Sequence, residues 1–283
     1  MGMRSACTSL AVIMLVVLAT AAGASAVPIV KLKGAAIPIP GYPHTGNILG
    51  AGTALRTELT FSGSEYDEGH PPPVIGINIL FPAGSKAHEQ GFPTCSPSAL
   101  KEIGEPAIGT TACPKGSLLT FPITAAQPES PSIVLGNESY ALGVVKIGSG
   151  PPLEEKARIQ GFFAPGGGLE FFVKGITPSL FEFISPGHVT NPSGSGSSGP
   201  EVFTTAPLIE TLPGAADASA EKITVFAGAA YRKNGKVTYY ATVPKKCPSG
   251  GFPVKAEVIF AEDGDANTPE SATATFKAPC PRK

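Results

Sequence analysis

The chain has 283 residues and a formal net charge of −1, with 42% apolar and only 15% charged residues. Such a composition supports a sizeable core in one large all-β domain or two small ones, and 34 Gly with 30 Pro imply many turns. The longest cationic run is Lys245-Lys246, so there is no basic stripe to neutralise phosphates and nucleic acid is excluded as an expected partner.

Residues 1–26 read as a secretory signal peptide. Arg4 supplies the positive n-region, Leu10 to Ala22 the apolar h-region, and Ala24-Ser25-Ala26 the small-residue cleavage site. The expected mature chain is 27–283, read as one β domain. A subdomain break near 186–220 is the alternative, because Gly194 to Gly199 has linker composition. No later segment approaches about 18 consecutive apolar residues, so no membrane span is expected after signal cleavage. The expected location is secreted and extracellular, with loose association to the cell wall as the other option.

Period-2 alternation dominates from residue 50 onward. Leu55, Thr57, Leu59 and Phe61 alternate with Arg56, Glu58 and Thr60, as in a half-buried strand. Ile75, Ile77, Ile79 and Phe81 form a second such face. Between them lies an acidic loop, Glu65-Tyr66-Asp67-Glu68-Gly69-His70, with a stiff Pro71-Pro72-Pro73 exit. It reads as a long strand connection, or else as a recognition loop. A short helix is predicted over Ser96–Ile103, with Ser96 as N-cap, Pro97 in the first helical position and Gly104 as the stop.

Further strands are predicted at 117–123, 140–147, 157–163, 169–174, 222–226, 237–243, 253–260 and 271–277. The stretches Ser62–Pro73, Gln127–Pro131 and Pro186–Pro200 read as flexible. Asn234-Gly235 predicts a type I′ hairpin between 229–233 and 236–243, with Val237, Tyr239, Ala241 and Val243 on one face. A second hairpin joins 253–261 to 271–277. Regular short strands punctuated by Gly and Pro indicate an all-β, mainly antiparallel β-sandwich, Ig-like or jelly-roll-like, with one short helix.

With Cys7 inside the leader, four cysteines remain: Cys95, Cys113, Cys247 and Cys280. An even number in an exported chain reads as two disulfides with three conceivable connectivities. Locality favours Cys95–Cys113 and Cys247–Cys280, each worth roughly 3–4 kcal/mol in the chain-entropy model. A zinc site lacks support, since there is no Cys-x-x-Cys pair and no His at ligand spacing.

The segments Gly91-Phe92-Pro93-Thr94-Cys95-Ser96-Pro97, Ala112-Cys113-Pro114-Lys115-Gly116-Ser117 and Val243-Pro244-Lys245-Lys246-Cys247-Pro248, followed by Gly250-Gly251-Phe252-Pro253-Val254-Lys255-Ala256-Glu257 and Cys280-Pro281, carry a resemblance. Together they resemble an uncharacterised family of exported, disulfide-containing β-rich proteins from high-GC Gram-positive (actinobacterial) soil bacteria. The resemblance covers the cysteine-bearing segments and the last third of the chain, and it brings no catalytic residues with it. It implies an association of the cysteines with the last hairpin and a bacterial origin, in which the Asn137-Glu138-Ser139 sequon has no meaning.

No motif for catalysis stands out. His88-Glu89-Gln90-Gly91-Phe92 begins like a zincin helix but has Phe92 where the second histidine belongs. Gly194-x-Gly196-x-x-Gly199 matches a dinucleotide fingerprint in letters, yet Ser-rich sequence flanks it. His44, His70, His88 and His188 all fall in Pro/Gly-rich loops, and no Gly-x-Ser-x-Gly elbow accompanies them. Glu154, Glu155, Glu170 and Glu182 could supply a carboxylate pair for glycoside hydrolysis, but sugar clefts favour aromatic platforms and this chain has no Trp and six Tyr.

The one stretch with coordination logic is the acidic loop 262–270. Asp263, Asp265 and Asn267 alternate as hard oxygen donors and Glu270 follows, which makes them the candidate Ca²⁺ ligands. The competing reading is a solvated hairpin loop. The expected function is therefore a non-enzymatic structural or binding module at the cell surface. A secreted hydrolase with a dispersed site and a Ca²⁺-stabilised adhesion module are the alternatives.

Overall fold

A computed structural model describes residues 28–37, 39, 49–63, 69–101, 111, 113–120, 139–146, 150–191, 198–210 and 217–280. The predicted leader therefore lies outside the described residues, as do Glu65 to Glu68 and Gln127–Pro131. Four strands precede the helix: β1 (Ile29–Ile37), β2 (Gly52–Ser62), β3 (Val74–Pro82) and the short β4 (Lys86–Ala87). Helix α1 spans Pro97–Lys101. Then come β5 (Tyr140–Val145), β6 (Leu153–Phe163), β7 (Leu169–Thr177), β8 (Glu182–Thr190), β9 (Ser198–Thr205) and β10 (Ser219–Ala227). The chain ends with β11 (Ala230–Lys233), β12 (Lys236–Tyr239), β13 (Ala241–Thr242), β14 (Phe252–Ala261) and β15 (Pro269–Ala278).

Among the described residues, thirteen strands join one sheet in the order β15-β14-β3-β9-β8-β7-β6-β5-β10-β2-β13-β4, with β1 also paired to β2. Every pairing is antiparallel, while β11 and β12 form a separate hairpin. The sheet curls until β1 lies along β15, giving a sandwich closed on that side. Curling of this kind is how twisted sheets of many strands bury one face. Among the described residues the fold is thus nearly all antiparallel β, with one short α-helix and two disulfides, as the alternation, turn signals and cysteine count predict.

β2 shows why the pattern decides the architecture. Leu59 and Phe61 point inward and are buried, whereas Arg56 and Glu58 point outward. There Glu58 gathers Arg56 at 3.0 Å and Lys222 at 3.2 Å, ion pairs at the surface worth little to stability. Inside, Phe61 meets Phe260 edge to face at 5.8 Å. Leu32, Leu59, Ile79, Ala256, Val258 and Ala272 complete this core.

Both predicted hairpins are present. Asn234 and Gly235 have φ of 50° and 76°, the two left-handed positions that a type I′ turn requires. β14 pairs with β15 through ten consecutive residues, from Phe252 opposite Ala278 to Ala261 opposite Pro269. The disulfides are Cys95–Cys113 and Cys247–Cys280, with Cα separations of 4.2 and 5.9 Å. Ser96 caps α1 by accepting the Ala99 N–H at 3.2 Å.

Several local expectations are corrected. Pro186–Pro200 is not one flexible stretch: residues 186–190 belong to β8 and 198–200 to β9. The prolines misdirect the reading because a strand can carry Pro where no ladder N–H is needed. β1 has no counterpart among the predicted strands. Ile75 does not share the inner face, because the β3–β14 register slips between Val74 and Gly76, and Val74 joins the core instead. The expected strand over 237–243 breaks at Tyr240: β12 pairs with β11, while β13 pairs with β2 and β4. Finally, Pro71, Pro72 and Pro73 are buried, and the carbonyls of Pro71 and Pro73 accept hydrogen bonds from Ser219 and Ala261. That exit is a packed strand connection.

Candidate functional site

The sequence-derived candidates are dispersed by the fold. In the acidic loop, the side chain of Asp263 lies outside the described residues. Asp265 Oδ1 accepts hydrogen bonds from Asn267 at its backbone N–H (2.9 Å) and its side-chain amide (2.8 Å). Thr268 closes the turn by donating to the Glu262 and Asp265 carbonyls, and Glu270 stands in β15 opposite Phe260. Among the described residues no group of three or more His, Cys, Asp or Glu side chains is placed to hold a metal ion.

His70 pairs with Glu221 at 3.0 Å, and His188 is exposed on β8. The zincin-like stretch serves the architecture, since Glu89 Oε2 accepts the Gly168 N–H at 3.1 Å and so ties down the β6–β7 turn. Phe92 stacks on Phe163 at 4.5 Å, and Tyr231 and Tyr240 meet this pair edge-on. Burial, reinforced by the negative charge of Glu89, pushes the Tyr240 phenol well above its ordinary pKa. Gly199 of the fingerprint-like run sits in β9 and leads into no helix.

Of the four glutamates considered as a catalytic pair, Glu154 and Glu182 make ion pairs with Lys156 and Lys174. Glu170 lies beside Leu169 on the opposite face of β7. Glu170 is buried on that outer face, and of the four Glu155 alone points between the two sides of the sandwich. A facing pair of carboxylates is therefore not assembled from these residues.

What the fold does assemble is an apolar cavity of about 320 Å³ between the two sides of the sandwich. Its walls are the inner faces of the central strands: Leu55 and Thr57 from β2, Ile77 from β3, Phe171 from β7, Phe183 from β8 and Val225 from β10. Leu169 and Tyr240, members of the aromatic cluster around Phe92, line one end. Phe181, Ile209 and Ser219 line the other.

The burial pattern of β10 is the clearest mark of this space. Thr224 and Phe226 face outward and are buried, whereas Ile223 and Val225 face inward and are only half-buried. A strand that packs a filled core shows the reverse. Phe171, Phe183 and Val202 are half-buried in the same way on the facing strands.

Glu155 is the acidic residue in this lining. It is 4% exposed, and its Oε2 accepts both the N–H of Ser179 at 2.9 Å and the Ser179 hydroxyl at 2.5 Å. Alternation could have found it: the inner phase of β6 runs Ala157, Ile159, Gly161, Phe163, and one step back from Ala157 is Glu155. A charged residue on an apolar phase is the signal that sequence reading passed over.

Compared with protein-family models, with curated proteins and with solved structures, the chain finds no match in any of the three.

Proposed function

We propose that this chain is a non-enzymatic binding module, exported from a bacterial cell, that takes a small apolar molecule into its interior cavity. The supporting observation is the inverted burial of β10 and its partners, where inward aliphatic and aromatic side chains keep surface that only a guest could cover. The cavity falls at the small end of the range for ligand pockets, with room for roughly ten water-sized groups. Its walls are apolar with few polar groups, the usual division between affinity and orientation.

Export is supported by the leader pattern of residues 1–26 and by two disulfides, which persist in oxidising compartments. Among the described residues no helix is long and apolar enough to cross a membrane. The resemblance of the cysteine-bearing segments to exported actinobacterial proteins supports a place at or beyond the cell surface.

The test is titration with N-phenyl-1-naphthylamine, a neutral fluorophore that brightens in apolar surroundings. The oxidised chain should bind it saturably with one site, and Thr57→Phe, which fills the cavity from β2, should weaken binding at least tenfold while leaving the melting transition cooperative. Unsaturable binding, or a Thr57→Phe variant that binds as the wild type does, would remove the cavity reading.

A further inference from the structure

We infer that the guest carries a hydrogen-bond-donating head, a hydroxyl or a protonated amine, which pairs with Glu155 Oε1. The inference rests on the apolar-cavity reading and adds the chemistry of one end of the ligand.

Glu155 enters the wall from β6 at the end of the cavity away from the aromatic cluster around Phe92. Its Oε2 is satisfied by Ser179, but its Oε1 is buried and has no hydrogen-bond partner. Directly across the ladder on β5 stands Gly143, which contributes no side chain toward it. The carboxylate is therefore half-satisfied beside apolar walls, and the remaining oxygen can only accept.

The geometry that holds it there is built in. The turn between β7 and β8 folds back on the sheet, and the Gly175 N–H donates to the Phe181 carbonyl at 2.8 Å. A Cβ at Gly175 would stand 2.6 Å from the Ser179 carbonyl oxygen and 2.8 Å from the Phe181 ring, so only glycine lets this turn lie so close. Ser179 thus reaches Glu155, and Phe181 reaches the cavity wall.

A buried acceptor left unpaired is costly, and a buried carboxylate costs more than a neutral group. A guest with a donor head relieves that cost, because it satisfies Oε1 while its apolar body covers Ile223, Val225 and Phe171. A guest with a carboxylate head adds a second negative charge against the first, and the cations of the lining, Lys33, Arg56 and Lys86, stand on β1, β2 and β4, with Lys33 and Arg56 already paired to Glu58. The site therefore selects a medium-chain alcohol or amine over the acid of the same length.

The experiment displaces N-phenyl-1-naphthylamine from the oxidised chain with octan-1-ol, octylamine and octanoate at pH 7.5. Octanol and octylamine should displace the dye at concentrations at least tenfold below octanoate. In Glu155→Gln that preference should shrink below about threefold. Octanoate competing as well as octanol overturns the head-group inference, and dye binding that survives unchanged leaves the cavity reading standing. Failure of the dye itself to bind overturns the cavity reading, and this inference with it. A Glu155→Gln variant that keeps the tenfold preference shows that another group reads the head. If that variant does not fold, Ser179→Ala carries the assignment: it removes the hydroxyl donor and leaves Oε2 with the residue-179 N–H alone. The carboxylate then has more acceptor capacity for the guest and the preference should widen about threefold, and an unchanged preference overturns the role of Glu155.

Discussion

The two sides of the sandwich pack in opposite directions. On the side of β14 the inner residues Ala256, Val258 and Phe260 are fully buried, at 0% exposure, and the outward Lys255 and Pro253 are exposed. On the side of β7 and β10 the outward residues Phe172 and Phe226 are buried, while the inward Phe171, Ile223 and Val225 are half-buried; on β6 between them both the outward Phe162 and the inward Ala157, Ile159 and Phe163 are buried. The outer face of β6 and β7 is covered by the segment stapled through Cys95–Cys113, with Leu100 and Leu118 against Phe162 and Phe172. The difference shows how a sandwich can keep an internal cavity: the strands around it find their packing on the outside. The disulfide holds the covering segment in place of a filled core.

The largest expected effect tests that division directly. Phe260→Ala should cost about 3–5 kcal/mol, because the side chain is fully buried in a filled core and packs edge-on against Phe61. Val225→Ala, on the cavity wall, should cost about 1 kcal/mol or less, since its methyl groups already lack close neighbours on one side. Urea denaturation of both variants at constant m-value is the measurement. Equal costs would mean that the two sides are packed alike and that the cavity is closed in solution.

Next in size is removal of one disulfide at a time. The Cys95→Ala/Cys113→Ala variant should lose about 3 kcal/mol and bind N-phenyl-1-naphthylamine more weakly, because the cover over Phe162 and Phe172 is released. The Cys247→Ala/Cys280→Ala variant should lose a similar amount and bind the dye normally. That bridge joins the start of β14 to the end of β15, which the ladder from Phe252–Ala278 already holds together. Equal loss of dye binding in both variants would break the link between the outer staple and the cavity.

Much of this architecture is legible in the sequence, and the failures have physical causes. Alternation places β2, β6, β7, β14 and β15 because their two faces differ in polarity, and Asn234-Gly235 fixes a hairpin through its backbone demands. Two disulfides follow from counting cysteines and from locality. β8 and β9 escape notice because Pro186, Gly187, Gly199 and Pro200 sit within strands that keep their ladder through neighbouring residues. The cavity is not legible at all: Ile223 and Val225 would show the same period in a filled core. Whether inward side chains touch one another depends on the distance between sheets, which no single strand encodes. Glu155 is the acidic residue of this lining, and its type disagrees with the apolar phase of β6.

The smallest effect concerns charge at the end of the cavity that Ile209 and Ala218 line. Between them in sequence stand Glu210 and Asp217, and the Asp217 carboxyl is raised above its ordinary value of 3.8 by burial first and by the negative charge of Glu210 second. A carboxyl whose folded pKa is raised makes no contribution at pH 3, where it is protonated in both folded and unfolded chains. It becomes a penalty as pH climbs from 3.8 through the raised folded value, and the penalty is then constant to neutrality. Asp217→Asn should therefore raise the melting temperature slightly at pH 7 and leave it unchanged at pH 3, the effect being modest because the group is only partly buried. A gain of the same size at both pH values would mean that the substitution acts through packing. A gain at pH 7 accompanied by better displacement of the dye by octanoate would show that negative charge at this end works with Glu155 to turn acids away.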